Sequence, residues 1–253
     1  MRALSVVVIT YNEEEKIGRC LESVQQLADE IVIVDSCSTD RTEEIVRKYN
    51  VKFISQPFLG YIGQKNFAIA NASNDMVLSL DADEAIDEKL RASILAVKQK
   101  DFPADGYTMN RCSNFANKWI RRGSWYPDVK LRLFNRTHCR FGGTNPHDRI
   151  IEEPGLRKAH LKGDIEHYSY KSFEEYISQL NKFTTIQAAA MYESGKRASF
   201  LNLWINPLAA FIGGYFIKGG FLDGSVGLII HATVAYQTFA KYAKLRQLQM
   251  KKQ

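Results

Sequence analysis

Three apolar runs near the N-terminus, each ending in polar and acidic residues, constrain this chain most. They are Leu4-Ser-Val-Val-Val-Ile-Thr10, Glu30-Ile-Val-Ile-Val-Asp35 and Met76-Val-Leu-Ser-Leu-Asp81. Each is almost unbroken and rich in branched residues, the pattern of a strand covered on both faces. Helical patterns separate them. Ile17, Cys20, Leu21, Val24 and Leu27 fall on one helix face. Ser38, Thr39 or Asp40 can cap a helix running to about Tyr49. Val51–Ser55 reads as another strand, and Gly63–Ala72 and Glu88–Gln99 as helices. The alternation predicts an α/β fold, with a mostly parallel sheet and helices on both faces.

From Gly106 the pattern changes. Tyr107–Asn114, Val129–Asn135, Arg149–Glu153 and Ile165–Tyr168 are short strand candidates, and a long helix is expected from Ser172 to about Ser194. The chain has 253 residues, 45% of them hydrophobic, which is enough for an ordered core. Its net charge of +6 is not spread evenly. Residues 1–195 carry 26 basic and 27 acidic side chains, whereas residues 196–253 carry 8 basic and one acidic, Asp223. That shift predicts a boundary near Gly195, with a main domain at 1–195 and a basic, apolar helical segment at 196–253.

Within the segment, residues 198–217 hold no charge, which is near the length of a membrane span. Pro207, Asn202, Asn206 and Gly213-Gly214 interrupt it, and Arg197 and Lys218 flank it on both sides. Helices lying in the interface of an anionic membrane fit that pattern better than a buried helical appendage or oligomer contact, and better than a span. A near-neutral main domain argues against nucleic acid as a partner. The cysteines, at 20, 37, 112 and 139, show no metal-site or C-x-x-C spacing and read as free thiols of a reducing compartment. The N-terminal apolar run is short and soon meets Glu13, Glu14 and Glu15, so no leader is expected. A cytoplasmic protein held on the inner face of the cytoplasmic membrane is the expectation. The oligomeric state stays open.

In such a sheet, ligands bind outside the carboxyl ends of the strands. Here those ends read Thr10-Tyr-Asn-Glu13, Asp35-Ser-Cys-Ser-Thr-Asp40 and Asp81-Ala-Asp-Glu84. Crowded carboxylates repel one another and need a cation. A divalent ion held by Asp81-x-Asp83 and bridging a diphosphate would supply it. No P-loop, no G-x-G-x-x-G at the first turn and no G-x-S-x-G elbow is present, which argues against phosphotransferase, nicotinamide dehydrogenase and hydrolase readings.

Val7-Val-Ile-Thr-Tyr-Asn-Glu13, Val34-Asp-Ser-Cys-Ser-Thr-Asp-Arg-Thr42 and Leu80-Asp-Ala-Asp-Glu84 resemble family 2 glycosyltransferases of the GT-A fold. Gly60-x-x-Gly63-x-Lys65-Asn66, Trp125-Tyr-Pro-Asp128, Lys130-Leu-Arg-Leu-Phe134 and Asn145-Pro-His-Asp148 look like the lipopolysaccharide core β-glucosyltransferase subgroup. The resemblance implies an inverting transfer of a hexose from a UDP-sugar by direct displacement. Thr10, Tyr11 and Glu13 would border the uridine and ribose, and Asp35 would accept from the uracil N–H. Asp81 would sit near the ribose and phosphates, Asp83 would ligate Mg²⁺ or Mn²⁺, and Lys65 would add positive charge.

Inversion needs a base on the acceptor hydroxyl. The subgroup shows a His-Glu pair where this chain has His147-Asp148, which makes Asp148 the expected base and Asp128 the runner-up. His147 would orient Asp148 or bind phosphate. Trp125 would stack on a sugar, while Arg121, Arg122 and Arg132 would meet phosphates of an anionic, lipid-linked glycan. Transfer to polyprenyl phosphate, or nucleotide-sugar binding without catalysis, are the rival readings.

Overall fold

A computed structural model describes residues 2–144 and 147–250, the side chains of Thr144, His147 and Asp148 excepted. The chain divides into two compact units. The first comprises residues 1–111 and 128–168, the second residues 112–127 and 169–253.

The first unit begins with a strand–helix alternation. Strands β1 (Leu4–Thr10), β2 (Glu30–Asp35), β3 (Lys52–Ser55) and β4 (Met76–Asp81) alternate with helices α1 (Ile17–Val24), α2 (Thr42–Val46) and α3 (Gly60–Ala70). These four strands run parallel in the order β3-β2-β1-β4. The apolar runs of β1, β2 and β4 are nearly continuous because both faces are covered, whereas β3 is partly exposed. Leu4, Val6 and Val8 of β1 pack with α1, whereas Val7 packs with Ala68 and Ile69 of α3.

The same sheet then continues differently. A short strand β5 (Glu84–Ile86) and helix α4 (Glu88–Gln99) lead into β6 (Gly106–Phe115). After a two-residue strand β7 (Lys118–Trp119) come β8 (Asp128–Asn135), the hairpin strands β9 (Cys139–Thr144) and β10 (His147–Glu152), and the long strand β11 (Lys158–Tyr170). Beyond β4 the order is β8-β6-β11-β5, with β8 antiparallel to both β4 and β6 and β11 antiparallel to β5. The parallel character expected from the sequence thus belongs to the N-terminal half of the sheet. Strands β9 and β10 form a separate two-stranded sheet.

The second unit is mostly helical: α5 (Phe173–Glu193), α6 (Phe200–Phe211) and α7 (Gly224–Met250). Ser172 and Ser199 cap α5 and α6, Ser199 in a reciprocal capping box with Asn202. Helix α6 passes through Pro207 and continues as a π-helical turn over Ile212–Ile217. The expected boundary near Gly195 differs from this division, because α5 packs with α7 through Leu180, Ile230, Ala188 and Leu245. His231 is fully buried among Gly123, Gly214, Gly220 and Gly227, where a Cβ on the first three would collide with its ring. It accepts from Ser124 N at 3.2 Å, and its Nδ1 lies 2.7 Å from Gly227 O.

Candidate active site

The parallel register sets the strand ends level. Thr10 is directly opposite Asp35, and Ile9 is opposite Asp81. Two loops leave this edge and are tied together by side chains. Asn12 N donates to Ser38 Oγ at 2.8 Å, Thr39 N donates to Asn12 Oδ1 at 2.8 Å, and Glu13 N donates to Thr42 Oγ1 at 2.8 Å. Glu14 N donates to Asp40 Oδ2, and Arg41 N to Glu14 Oε2. Asn12 (φ 52°) and Cys37 (φ 62°) adopt left-handed backbone, a conformation that stores strain in a non-glycine residue.

Asp35 is buried, and Ser38 holds both its oxygens: the amide donates to Oδ2 at 2.8 Å and the hydroxyl to Oδ1 at 2.5 Å. Gln64 of α3 is also buried. It donates to Ser36 Oγ and Gln56 O and accepts from Leu59 N, so it fixes the loop after β3 to the loop after β2. Among the described residues, buried Thr10 Oγ1 has no hydrogen-bond partner, an orphaned polar atom at the centre of the edge. Tyr11 stands exposed beside it.

The acids after β4 are held in different ways. Lys65 Nζ lies 3.0 Å from Asp81 Oδ1 and 3.3 Å from Oδ2, with hydrogen-bond geometry only to Oδ2. Arg132 donates to Asp81 Oδ2 at 3.1 Å and to Glu84 Oε1 at 2.9 Å, and Arg111 reaches Glu84 at 3.3 Å. Burial alone would raise the proton affinity of Asp81. Lys65 and Arg132 overcome it and hold the carboxyl well below its ordinary range. Lys65 is only 5% exposed, and its ammonium also lies 5.1 Å from the centre of the Phe141 ring. Arg132, expected at an acceptor phosphate, is likewise 5% exposed and committed to these two acids.

Asp83 faces His167, whose Nε2 lies 3.2 Å from Asp83 Oδ2. Burial opposes ionisation of Asp83, but His167 brings its pKa below the usual value. Glu13 behaves oppositely: burial raises its pKa despite Lys16 at 3.4 Å, and the nearby Asp83 charge adds to the rise. Among the described residues, no three of His, Cys, Asp and Glu converge as a ready metal cage. The Asp83–His167 pair still suits a divalent ion. An oxygen and a nitrogen about 3 Å apart match neighbouring ligands at bond lengths of about 2.1 Å. Mg²⁺ in particular is held by few protein groups, with phosphate oxygens and water completing its shell.

Sequence reasoning missed His167, Arg111 and Gln64, and placed Glu84 in the acidic run after β4 without a role. His167 reaches the edge because β11 pairs with β5, placing it opposite Glu84. The only local signal was its place in an expected strand. Asp128, the runner-up base, is bound by Arg111 and Lys130, which outweigh burial and lower its proton affinity. His147 and Asp148 begin β10, and Asp148 pairs with Gly143 in the hairpin. Their side chains lie outside the described residues.

Trp125 belongs to the second unit, where its ring meets Phe115, Tyr170 and Tyr176 at centroid distances of 6.3, 6.0 and 5.4 Å. Lys118 and the Arg122 amide are held by Asp223.

Residues 5–163 match the sequence family described as Glycosyl transferase family 2. An uncharacterized glycosyltransferase of Rickettsia typhi is 30% identical, over 99% of this chain and 89% of its own. The lipopolysaccharide core biosynthesis glycosyltransferase LpsC of Rhizobium meliloti is 32% identical, over 96% and 92%. Among solved structures, the mannosyltransferase PcManGT of Pyrobaculum calidifontis, in complex with GDP-Man and Mn²⁺, superposes with a TM-score of 0.58 at 16% identity. That match covers 96% of this chain and 87% of the other, and it shows a shared fold.

Proposed function

The chain belongs to glycosyl transferase family 2, and from that premise we propose an inverting transfer of a hexose, glucose first, from a UDP-sugar to a lipopolysaccharide-core or other lipid-linked glycan. The observation that carries the reading is the level edge where Thr10, Asp35 and Asp81 end neighbouring parallel strands and Asp83 meets His167. The similarity to LpsC supports the acceptor class.

On this reading, Asp35 accepts from the uracil N–H through lone pairs that Ser38 leaves, and Thr10, Tyr11 and Glu13 border the nucleoside. Asp83 and His167 hold Mg²⁺ or Mn²⁺. That ion, when bound, stabilises the charge of the departing diphosphate. Lys65 directs a positive charge at the same edge while keeping Asp81 ionised. Asp148 takes the acceptor hydroxyl proton as its oxygen attacks, with His147 beside it.

The second unit suits a membrane surface. Phe200–Ile217 is long and apolar enough, by length and composition, to cross a membrane. Its 18 residues would extend about 27 Å as an α-helix, slightly less than a hydrocarbon core of about 30 Å. Phe200, Leu201, Trp204, Ile205 and Leu208 are all more than half exposed, in a segment with 8 basic side chains against one acidic. We infer that this face lies in the interface of an anionic membrane, at the cytoplasmic side, where lipid-linked acceptors are presented.

A donor screen tests the function. Purified chain, UDP-glucose, Mg²⁺ or Mn²⁺ and a lipid-linked core extract should yield UDP and a hexose-extended glycan by mass spectrometry. Extension of polyprenyl phosphate instead would favour the rival acceptor. No UDP release with any UDP-hexose would leave a binding protein.

A further inference from the structure

The hairpin that carries Asp148 stands apart from the main sheet, so something other than a sheet ladder must anchor it. An isolated two-stranded hairpin is marginal in water. The anchor is on α3. Asn66 Nδ2 donates to Phe141 O at 2.9 Å, and Phe141 N donates to Asn66 Oδ1 at 2.9 Å. The side-chain amide therefore offers the outer edge of β9 the same donor–acceptor pair that a neighbouring strand would offer. On its other edge, Phe141 pairs with Ile150 of β10. Its ring packs against Phe134 at 6.4 Å, inside the core that α3 closes.

The preceding residue of α3, Lys65, connects this anchor to the acids. Its ammonium lies against the Phe141 ring and pairs with Asp81. Two successive helix residues thus fix one hairpin residue, Asn66 by its backbone and Lys65 by its ring. Two pairs beyond Phe141, the ladder reaches Gly143 and Asp148.

We propose that Asn66 is a positioning residue: it sets where the hairpin holds Asp148 relative to the edge marked by Asp81. The proposal rests on Asp148 being the base. Only asparagine suits the clamp. Aspartate keeps the acceptor but places a carboxylate against the Phe141 carbonyl, alanine removes both groups, and glutamine is a methylene too long.

Amide hydrogen exchange and kinetics on the full chain test it together. In Asn66→Ala, which removes the acceptor of the Phe141 N–H, that amide should lose protection by about tenfold or more, while amides of β1 and β4 keep theirs. With UDP-glucose and the core extract, kcat should fall by about ten- to hundredfold while KM for UDP-glucose stays within about twofold. In an Asp148→Asn background, Asn66→Ala should add little further loss, because both changes act on one group.

Unchanged Phe141 protection, a raised donor KM with kcat preserved, or additive losses in the double variant would overturn the proposal. If Asn66→Ala does not fold, the near-isosteric Asn66→Asp, which loses only the bond to the Phe141 carbonyl, carries the kinetic readouts. Normal transfer by Asp148→Asn would instead overturn the assignment of the base, and the exchange result would still report on the clamp.

Discussion

His167 Nε2 and Asp83 Oδ2 face each other at 3.2 Å, joining residues 84 positions apart through the pairing of β11 with β5. On the metal reading, both variants at this pair have distinct signatures. Asp83→Ala should abolish metal-dependent UDP-glucose binding. His167→Ala should raise the Mn²⁺ needed for half-maximal activity by about ten- to hundredfold. Titrating Mn²⁺ against UDP release measures both, and a His167→Ala curve lying on the wild type would remove His167 from the site.

Lys65 is the second point of test. Removing one partner of a buried ion pair costs about 3–5 kcal/mol when nothing compensates. Asp81 retains Arg132, so Lys65→Met should lower stability by about 1–3 kcal/mol in urea unfolding. Its donor KM should rise, since the remaining guanidinium is shared with Glu84.

The two edge acids predict opposite pH trends. The folded pKa of Asp81 is depressed, so its contribution to stability is present above the unfolded value of about 3.9 and is lost as pH falls through the folded value. Asp81→Asn should therefore flatten the acid limb of a stability-against-pH curve. Glu13 has a raised folded pKa, so ionising it costs the folded state as pH rises. Glu13→Gln should gain on the wild type as pH rises above the unfolded value of about 4.3, while donor affinity weakens.

Thiol labelling probes the loop after β2. Cys37 is exposed, whereas Cys20, Cys112 and Cys139 are buried. Burial pushes the Cys139 thiol up to about 11 and the Cys20 thiol well above its ordinary value. A maleimide at pH 7.5 should modify Cys37 first, read by peptide mass mapping. UDP should slow that reaction if the nucleoside lies between Asp35 and Ser38.

The exposed apolar face of the second unit can be read by vesicle flotation. The chain should float with phosphatidylglycerol vesicles and less with phosphatidylcholine. Trp204→Ser with Leu208→Ser should reduce recovery without changing the circular dichroism spectrum. Equal recovery by that variant would place the contact elsewhere.

β1, β2 and β4 were legible because each is buried on both faces, so their apolar runs mark them to the residue. Their ends then fix Thr10, Asp35 and Asp81 without further information. β5 and β9 were not legible. β5 is three residues long, and β9 carries Gly142-Gly143, where a Cβ on Gly142 would strike Ile151. His167 and Arg132 depend on antiparallel pairings between distant segments, which leave no local period. Arg132 was legible as a charge but not as a buried one. The boundary near Gly195 followed charge, whereas α5 and α7 are joined by apolar packing.

The central claim is that the acid edge binds a nucleotide-sugar through Asp83 and a divalent ion for transfer. Calorimetric titration of UDP-glucose into the wild type and Asp83→Ala, with Mn²⁺ and with chelator, measures it directly. The account predicts Mn²⁺-dependent binding to the wild type and none to Asp83→Ala at the same thermal stability. Equal binding by the two proteins, unaffected by chelator, would contradict it.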